Sequence, residues 1–283
     1  MNNRIIQPQH LAPFADHLHE SDHAAGTIDK YCRDLRKFSV WLAGRSVTSG
    51  RVVDWSRYLL IDCGYAAATV NSKLGALHSF FTFIGWQDCR VHYLKCQRRL
   101  FRDARRNFTR QDYDRLLSAA YATGRERLAL VIETIAATGI RVSELPYITR
   151  DALEDGRADI ALKGKIRTIL LPRKLCRKLK RYARKEKIAA GALFITDSGQ
   201  NLSRKQIWKE MKALSARSGV PASKIFPHNL RHLFATTYYQ VSKDIVRLAD
   251  ILGHSSIETT RIYLIGTGDE HQRQLEQLGF VRE

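Results

Sequence analysis

Acidic residues are scarce in this chain: 28 Asp and Glu stand against 47 Lys and Arg in 283 residues, giving a formal charge of +19 and a pI near 10.0. The excess is spread along the chain rather than gathered in a tail, so it predicts a folded basic surface and a polyanionic partner, nucleic acid before any other. Long apolar runs are also lacking. The longest, from Leu128 to Ile140, is broken by Glu133 and too short to span a bilayer. With no signal-peptide or lipidation pattern, a membrane partner is set aside and a cytoplasmic protein is expected. The five cysteines, Cys32, Cys63, Cys89, Cys96 and Cys176, form an odd set without a CxxC pair. They read as free thiols in a reducing compartment. The sequence has no phosphate loop of the GxxxxGK(S/T) type, no Rossmann glycine box, no HExxH and no clustered carboxylates of a two-metal nuclease. Neither ATP nor a metal is therefore expected, and no cofactor.

The polar side chains that a helical core would not need are concentrated between His228 and Tyr263, in HNLRHLFATTYYQVSKDIVRLADILGHSSIETTRIY. Pro227 suits the first position of a helix, where its missing N–H is not required, and His228 and Arg231 then share one face. Ile245, Val246, Leu248, Ala249, Ile251 and Leu252 predict a second, buried helix that stops at Gly253. His254 follows in the turn. Ser255 and Glu258 stand at capping-box spacing for a short third helix that carries Tyr263. Two His, one Arg and one Tyr in this order suit phosphoryl transfer. A guanidinium matches two phosphate oxygens, an imidazole moves protons near neutral pH, and a phenol can attack phosphorus. With a reference pKa of about 10, only ~0.1% of a tyrosine is ionised at pH 7, so the surround must be basic. His228 and His232 are spaced like zinc ligands but have no well-placed third ligand, and His232, Tyr238 and Tyr239 read as packing residues.

HNLRH, LGHSS and ETTRIY, with the upstream ATGIRVSEL, resemble in order and spacing the signature boxes of the tyrosine recombinase (phage integrase) family, Xer-like members above all. The resemblance implies a site-specific recombinase that cuts and rejoins DNA through a 3′-phosphotyrosine. It implies Arg141, Lys163, His228, Arg231, His254 and the nucleophile Tyr263 as catalytic residues, with Glu144 orienting its neighbours. Lys163 falls on the family's hairpin lysine, but the turn is shorter than the usual GKGxKxR, so Lys165 is the rival. The implied partners are double-stranded DNA with inverted-repeat core sites and, on two duplexes, a homotetramer of subunits that are monomeric when free. A type IB-like topoisomerase or a catalytically silent DNA-binding regulator on the same scaffold are the alternatives.

The expected fold is mainly α with a small β-hairpin in the C-terminal domain, and the resemblance implies that its two domains form a DNA clamp. Residues 1–94 form a helical core-binding domain, with helices expected over Leu11–Glu20, Thr27–Leu42, Val52–Gly64 and Thr69–Ile84. Lys30, Arg33, Lys37, Lys73 and His78 there face either phosphates or solvent. Residues 95–107 form a basic linker, and residues 108–283 the catalytic domain, opened by a helix capped at Thr109. A hairpin is expected on either side of Lys163–Lys165, followed by a very basic helix over Leu175–Lys187. Within this frame Lys95, Arg98, Arg99 and Arg102 of the linker and Lys205 and Lys209 of a later helix are the candidate DNA contacts. A last helix, Asp269–Leu278, with the apolar tail after Gly279, suits docking; the resemblance implies a neighbouring protomer as its site, and a tail folded back on its own chain is the alternative. The chain's length leaves no room for a separate arm-binding domain ahead of these two.

Overall fold

The computed structural model describes residues 4–96, 107–162, 165–264, 272 and 275–280. The chain divides into two compact units, Met1–Arg98 and Arg99–Glu283. As the periodicity predicts, the described residues are mainly helical, with a single two-stranded sheet.

The first unit holds α1 (Leu11–Glu20), α2 (Ala25–Leu42), α3 (Ser49–Ile61) and α4 (Ala67–Phe83). Helical spacing turns Leu35, Phe38 and Leu42 of α2 and Leu74, Leu77 and Phe81 of α4 inward, where they pack with Phe14 and Trp55. An ion pair also joins α2 to α4: Lys73 Nζ lies 2.7 Å from Asp34 Oδ1, and Lys30 Nζ 3.1 Å from Oδ2. Burial alone would push the Asp34 carboxyl up, but the two lysines outweigh it and hold it below its ordinary value. Lys73 is therefore an interior residue and not a candidate for DNA. The same correction applies to His78, which is buried and accepts a hydrogen bond at Nε2 from the Val91 N–H.

The second unit opens with α5 (Arg110–Ala122), where Thr109 and Asp112 form the expected capping box. There follow α6 (Glu126–Thr138), α7 (Arg150–Asp155), the antiparallel strands β1 (Arg157–Leu162) and β2 (Lys165–Leu170), α8 (Arg173–Lys185), α9 (Arg204–Lys212) and α10 (Ser215–Ser218). The chain then runs through α11 (Pro227–Ser242), α12 (Ile245–Leu252) and α13 (Ile257–Arg261). Leu128, Val131, Ile132 and Ile135 of α6 form the centre of the core, closed by Leu179, Ile207, Met211 and Leu230. The hairpin register pairs Arg157 with Leu170 and Leu162 with Lys165, so Lys165 opens a strand and does not belong to the turn.

Helix α8 buries Leu175, Leu179 and Tyr182. Three of its four lysines have partners within the unit: Lys178 with Glu133, Lys180 with Glu154 and Lys185 with Glu126, each at 2.5 Å. The helix is thus less of a free basic face than its sequence suggests. No described helix is long and apolar enough to cross a membrane. Of the last expected helix and its tail only residues 272 and 275–280 are described, and Leu275, Leu278 and Phe280 are exposed.

Candidate active site

Four segments of the second unit meet at one place. Helix α6 ends at Thr138, and Gly139, in the left-handed conformation at φ 66°, turns the chain toward Ile140 and Arg141. A Cβ at Gly139 would overlap the Phe234 ring, so the residue is required by space as well as by backbone. A 3₁₀ turn over Val142–Tyr147 brings Glu144 back onto Arg141: Oε2 accepts the Arg141 backbone N–H at 2.8 Å and Oε1 its Nη1 at 2.8 Å. Glu144 is buried. It orients Arg141 through both backbone and side chain.

Helix α11 starts at Pro227, as predicted, and carries the exposed His228 and, one turn on, the buried Arg231. Helix α12 stops at Gly253, whose φ of 62° reverses the chain into His254. It is amphipathic rather than buried throughout: Leu248, Ala249 and Leu252 face inward, while Val246 is exposed. The cap of α13 is Ser256, whose hydroxyl accepts the Glu258 N–H at 3.3 Å, not Ser255 as the spacing predicts. The chain after α13 sets Tyr263 into a small apolar cluster with Ala235, Leu248 and Leu252.

The guanidiniums are held by the carbonyl ends of two helices. Arg231 Nη1 donates to Gly139 O at 2.5 Å and Nη2 to Leu252 O at 2.7 Å, while Arg141 Nη2 donates to Gly253 O at 3.2 Å. Helix C-termini carry partial negative charge, so α6 and α12 stabilise the cations that bear on the site. Burial foremost, and then repulsion from Arg141, pull the Arg231 pKa down, and its hydrogen bond with Tyr263 opposes them. Thr260 supports the other side: its hydroxyl lies 2.8 Å from His254 Nδ1, and Arg231 Nη2 lies 2.9 Å from His254 Nε2. Burial and the adjoining arginines push the His254 pKa down to about 4, leaving the imidazole neutral at pH 7.

Tyr263 is only 4% exposed. Its ring stacks on His254 at 5.7 Å and 8°, stands edge-on to His232 at 5.3 Å and lies 5.6 Å from His228. Beside it opens a cleft of ≈ 660 Å³ whose lining includes Arg141, Arg231, His228 and Tyr263 together with Lys205 and Trp208 of α9. Cleft and side chains can take a phosphate with a phenol at hand. Among the described residues no three His, Cys, Asp or Glu gather in a way that would hold a metal ion.

The structure thus brings together Arg141, Glu144, His228, Arg231, His254 and Tyr263. Lys205 lines the cleft and Lys209, on the same helix, is exposed outside it; Lys95, in the first unit, is exposed. Lys163, Arg98, Arg99 and Arg102 lie outside the described residues, and of Lys165 the backbone is described, at the start of β2. Sequence reasoning missed Arg167. Its Nη2 is 3.0 Å from Glu144 Oε2, and its Nη1 donates to Leu252 O. The signal was present in the KIR that ends the hairpin lysine motif. Trp208 and Arg204 of α9 were also not singled out as site residues, although Trp208 stands between two of the expected basic positions.

A helical unit with one hairpin, and a phenol set against paired guanidiniums beside an open cleft, is an architecture suited to phosphoryl transfer. The chain belongs to the phage integrase family: residues 106–267, more than half of its length, match that family, and residues 11–88 match the phage integrase N-terminal SAM-like domain. It is 28% identical over 274 residues to tyrosine recombinase XerA of Thermococcus kodakarensis, covering 94% of each chain. It is 30% identical over 279 residues to tyrosine recombinase XerC of Roseiflexus castenholzii, covering 90% of this chain and 88% of the relative. In fold it resembles XerH site-specific recombinase bound to palindromic difH in a post-cleavage complex, with a TM-score of 0.72 at 20% identity over 99% of this chain and 90% of that one. It also resembles a lambda integrase tetramer bound to a Holliday junction, with a TM-score of 0.72 at 18% identity over 93% and 78%.

Proposed function

We propose that the protein is a site-specific DNA recombinase that cuts and rejoins strands at inverted-repeat core sites through a 3′-phosphotyrosine intermediate. The observation that carries this reading is the meeting of Arg141, His228, Arg231, His254 and Tyr263, from four separate segments, at one basic cleft. Arg141 and Arg231 hold the nonbridging oxygens and stabilise the charge that builds on the pentacoordinate phosphorus. Tyr263 Oη forms the new bond to phosphorus as the bond to the 5′ oxygen breaks. His228 accepts the phenol proton, and Lys163, or Lys165 in its place, supplies a proton to the departing 5′ oxygen. The phosphotyrosine retains the energy of the phosphodiester, so the reverse attack by a 5′-hydroxyl rejoins the strand without fuel.

Two features of the free site have to change when DNA arrives. The carbonyls of Gly139, Leu252 and Gly253 occupy donors that the phosphate needs, and His254 accepts from Arg231 where it would donate to phosphate. An incoming phosphate draws the guanidiniums away, and its negative charge raises the imidazole pKa so that Nε2 regains a proton. In this reading residues 1–94 bind one face of the core site, 95–107 follow the duplex as a linker and 108–283 carry the chemistry. Four subunits act on two duplexes, with the apolar C-terminal residues docking on a neighbour.

The test is covalent capture. The protein is incubated without metal with a nicked suicide duplex built on the inverted repeats that flank its own gene, then run on a denaturing gel beside Tyr263→Phe. A slow band from the wild type alone is expected. A band that persists with Tyr263→Phe overturns the assignment, and a shift on a native gel without any covalent band turns the reading to a DNA-binding regulator.

A further inference from the structure

Arg167 is the third guanidinium at the site but does not line the cleft. Its side chain, 11% exposed, runs from β2 to two partners, Glu144 Oε2 at 3.0 Å and the Leu252 carbonyl at the end of α12. Its Nε is buried without a hydrogen-bond partner and faces Gly253. A Cβ at Gly253 would overlap Arg167 Cδ, so the glycine that turns the chain into His254 also makes room for this side chain. Burial chiefly, with Arg231 and Arg141 adding repulsion against the pull of Glu144, brings the Arg167 pKa to about 10. A third cation beside two others is an unfavourable way to fill an interior position unless its geometry is needed.

We propose that Arg167 is a positioning residue that pins strand β2 to Glu144 and to the end of α12, and thereby sets where the hairpin offers its proton to the leaving oxygen. The inference rests on the phosphotyrosine reading above. Removing Arg167 strips the hairpin of this tie while leaving the phosphate grip with its own bonds. Glu144 still holds Arg141 through the backbone N–H and Nη1, and Leu252 O still accepts Arg231 Nη2 at 2.7 Å. Strand β1 keeps a separate anchor, since the Tyr147 hydroxyl donates to Ala161 O at 2.8 Å. Beyond its ladder with β1 and the buried Ile169, strand β2 has Arg167 as its tie to Glu144 and α12.

The chemistry offers a selective readout. With oxygen at the 5′ bridging position, the departing alkoxide must take a proton as the P–O bond breaks. With sulfur there, the P–S bond releases a thiolate of reference pKa about 8.5, which needs none. Capture of the same nicked duplex is therefore compared for the wild type, Arg167→Ala and Arg167→Lys, with each bridging atom in turn. Arg167→Ala is expected to slow capture by about 100-fold on the oxygen substrate, the scale of a catalytic group misplaced by an ångström, and to stay within a few-fold of wild type on sulfur. Arg167→Lys should fall between, because an ammonium cannot reach Glu144 and Leu252 together as a fork does. Equal losses on both substrates, or no loss on oxygen, overturn the proposal.

Amide hydrogen exchange on the free protein tests the anchor without DNA. Arg167→Ala should speed exchange across Arg157–Leu170 and leave α6 protected, and an unchanged hairpin overturns the proposal. A wild type that is captured on neither substrate counts against the phosphotyrosine reading, and the exchange result then decides whether Arg167 anchors β2.

Discussion

Arg231 fixes the tautomer of His254. A guanidinium only donates, so the 2.9 Å contact makes His254 Nε2 the acceptor, and the ring proton sits on Nδ1, where it is given to Thr260 Oγ1 at 2.8 Å. The imidazole is thus held neutral and turned flat against Tyr263 in the free protein.

His254 should accordingly titrate near pH 4 by NMR, against 6.5 for an ordinary histidine. Between these values the unfolded chain binds more protons than the folded one, so stability rises with pH across the window and is lost as pH falls from 6.5 toward 4. Replacing Arg231 by Gln should raise the His254 pKa, since after burial the arginines depress it, whereas replacing Thr260 by Val, which removes only an acceptor, should not. A His254 that titrates at 6.5 or above in the free protein contradicts the burial and arginine contacts described for it.

Tyr263→Phe should bind DNA with unchanged affinity and form no covalent complex. Its melting temperature should stay close to wild type, because the ring keeps its packing against His254 and Leu252 and only the hydroxyl contact with Arg231 is lost.

Arg141→Ala and Arg231→Ala should each reduce capture by ~100-fold or more while DNA binding persists. Their effects on stability should differ. Arg141 is partly exposed at the cleft, whereas Arg231 is buried and satisfies the carbonyls of Gly139 and Leu252. Unpairing buried groups costs about 1–3 kcal/mol each, so thermal unfolding should single out Arg231→Ala as the less stable variant. Equal melting temperatures would show that those carbonyls find other donors.

Gly253→Ala should lower stability by more than about 1 kcal/mol, through the strained left-handed backbone and the overlap with Arg167. Capture should fall with it, because His254 and Arg167 both depend on that turn. A fully active Gly253→Ala would sink this account of the turn.

DNA binding should weaken steeply with salt, with a log–log slope near −0.9 for each phosphate contacted. Titrations between 50 and 200 mM salt, a range over which a protein with several phosphate contacts loses orders of magnitude in affinity, would read it out. A flat response would contradict the basic surface.

Much of this was legible in the sequence because it is local. Period and caps predict α1 and the starts of α5 and α11 to within a residue or two, and the Pro227–Arg231 spacing places His228 and Arg231 as observed. What was not legible depends on contacts distant along the chain. Period alone cannot tell that Lys73 turns inward to Asp34, or that Lys178 of α8 reaches Glu133 of α6. A long basic side chain on a helix reads the same whether it ends in solvent, on DNA or on an acid from another element. Arg167 was passed over for the same reason. The KIR motif invites a question about which lysine acts, whereas the arginine's role lies in two partners 23 and 85 residues away. Ser256 displaced Ser255 because helix ends are set by backbone geometry that one-residue shifts in a serine pair do not reveal.

Helices α6 and α12 end at one point, where Gly139 O and Leu252 O share the two arms of Arg231. A residue inserted into either helix would turn its last carbonyl by about 100° and carry it about 1.5 Å along the axis, taking it off the guanidinium. The lengths of two helices more than a hundred residues apart are therefore bound together, and with them the register of everything between Glu126 and Gly253 that packs on both. The exposed turn at residues 198–200 is tied to neither carbonyl. Natural variants of this chain should gain and lose residues there, and keep count in α6 and α12.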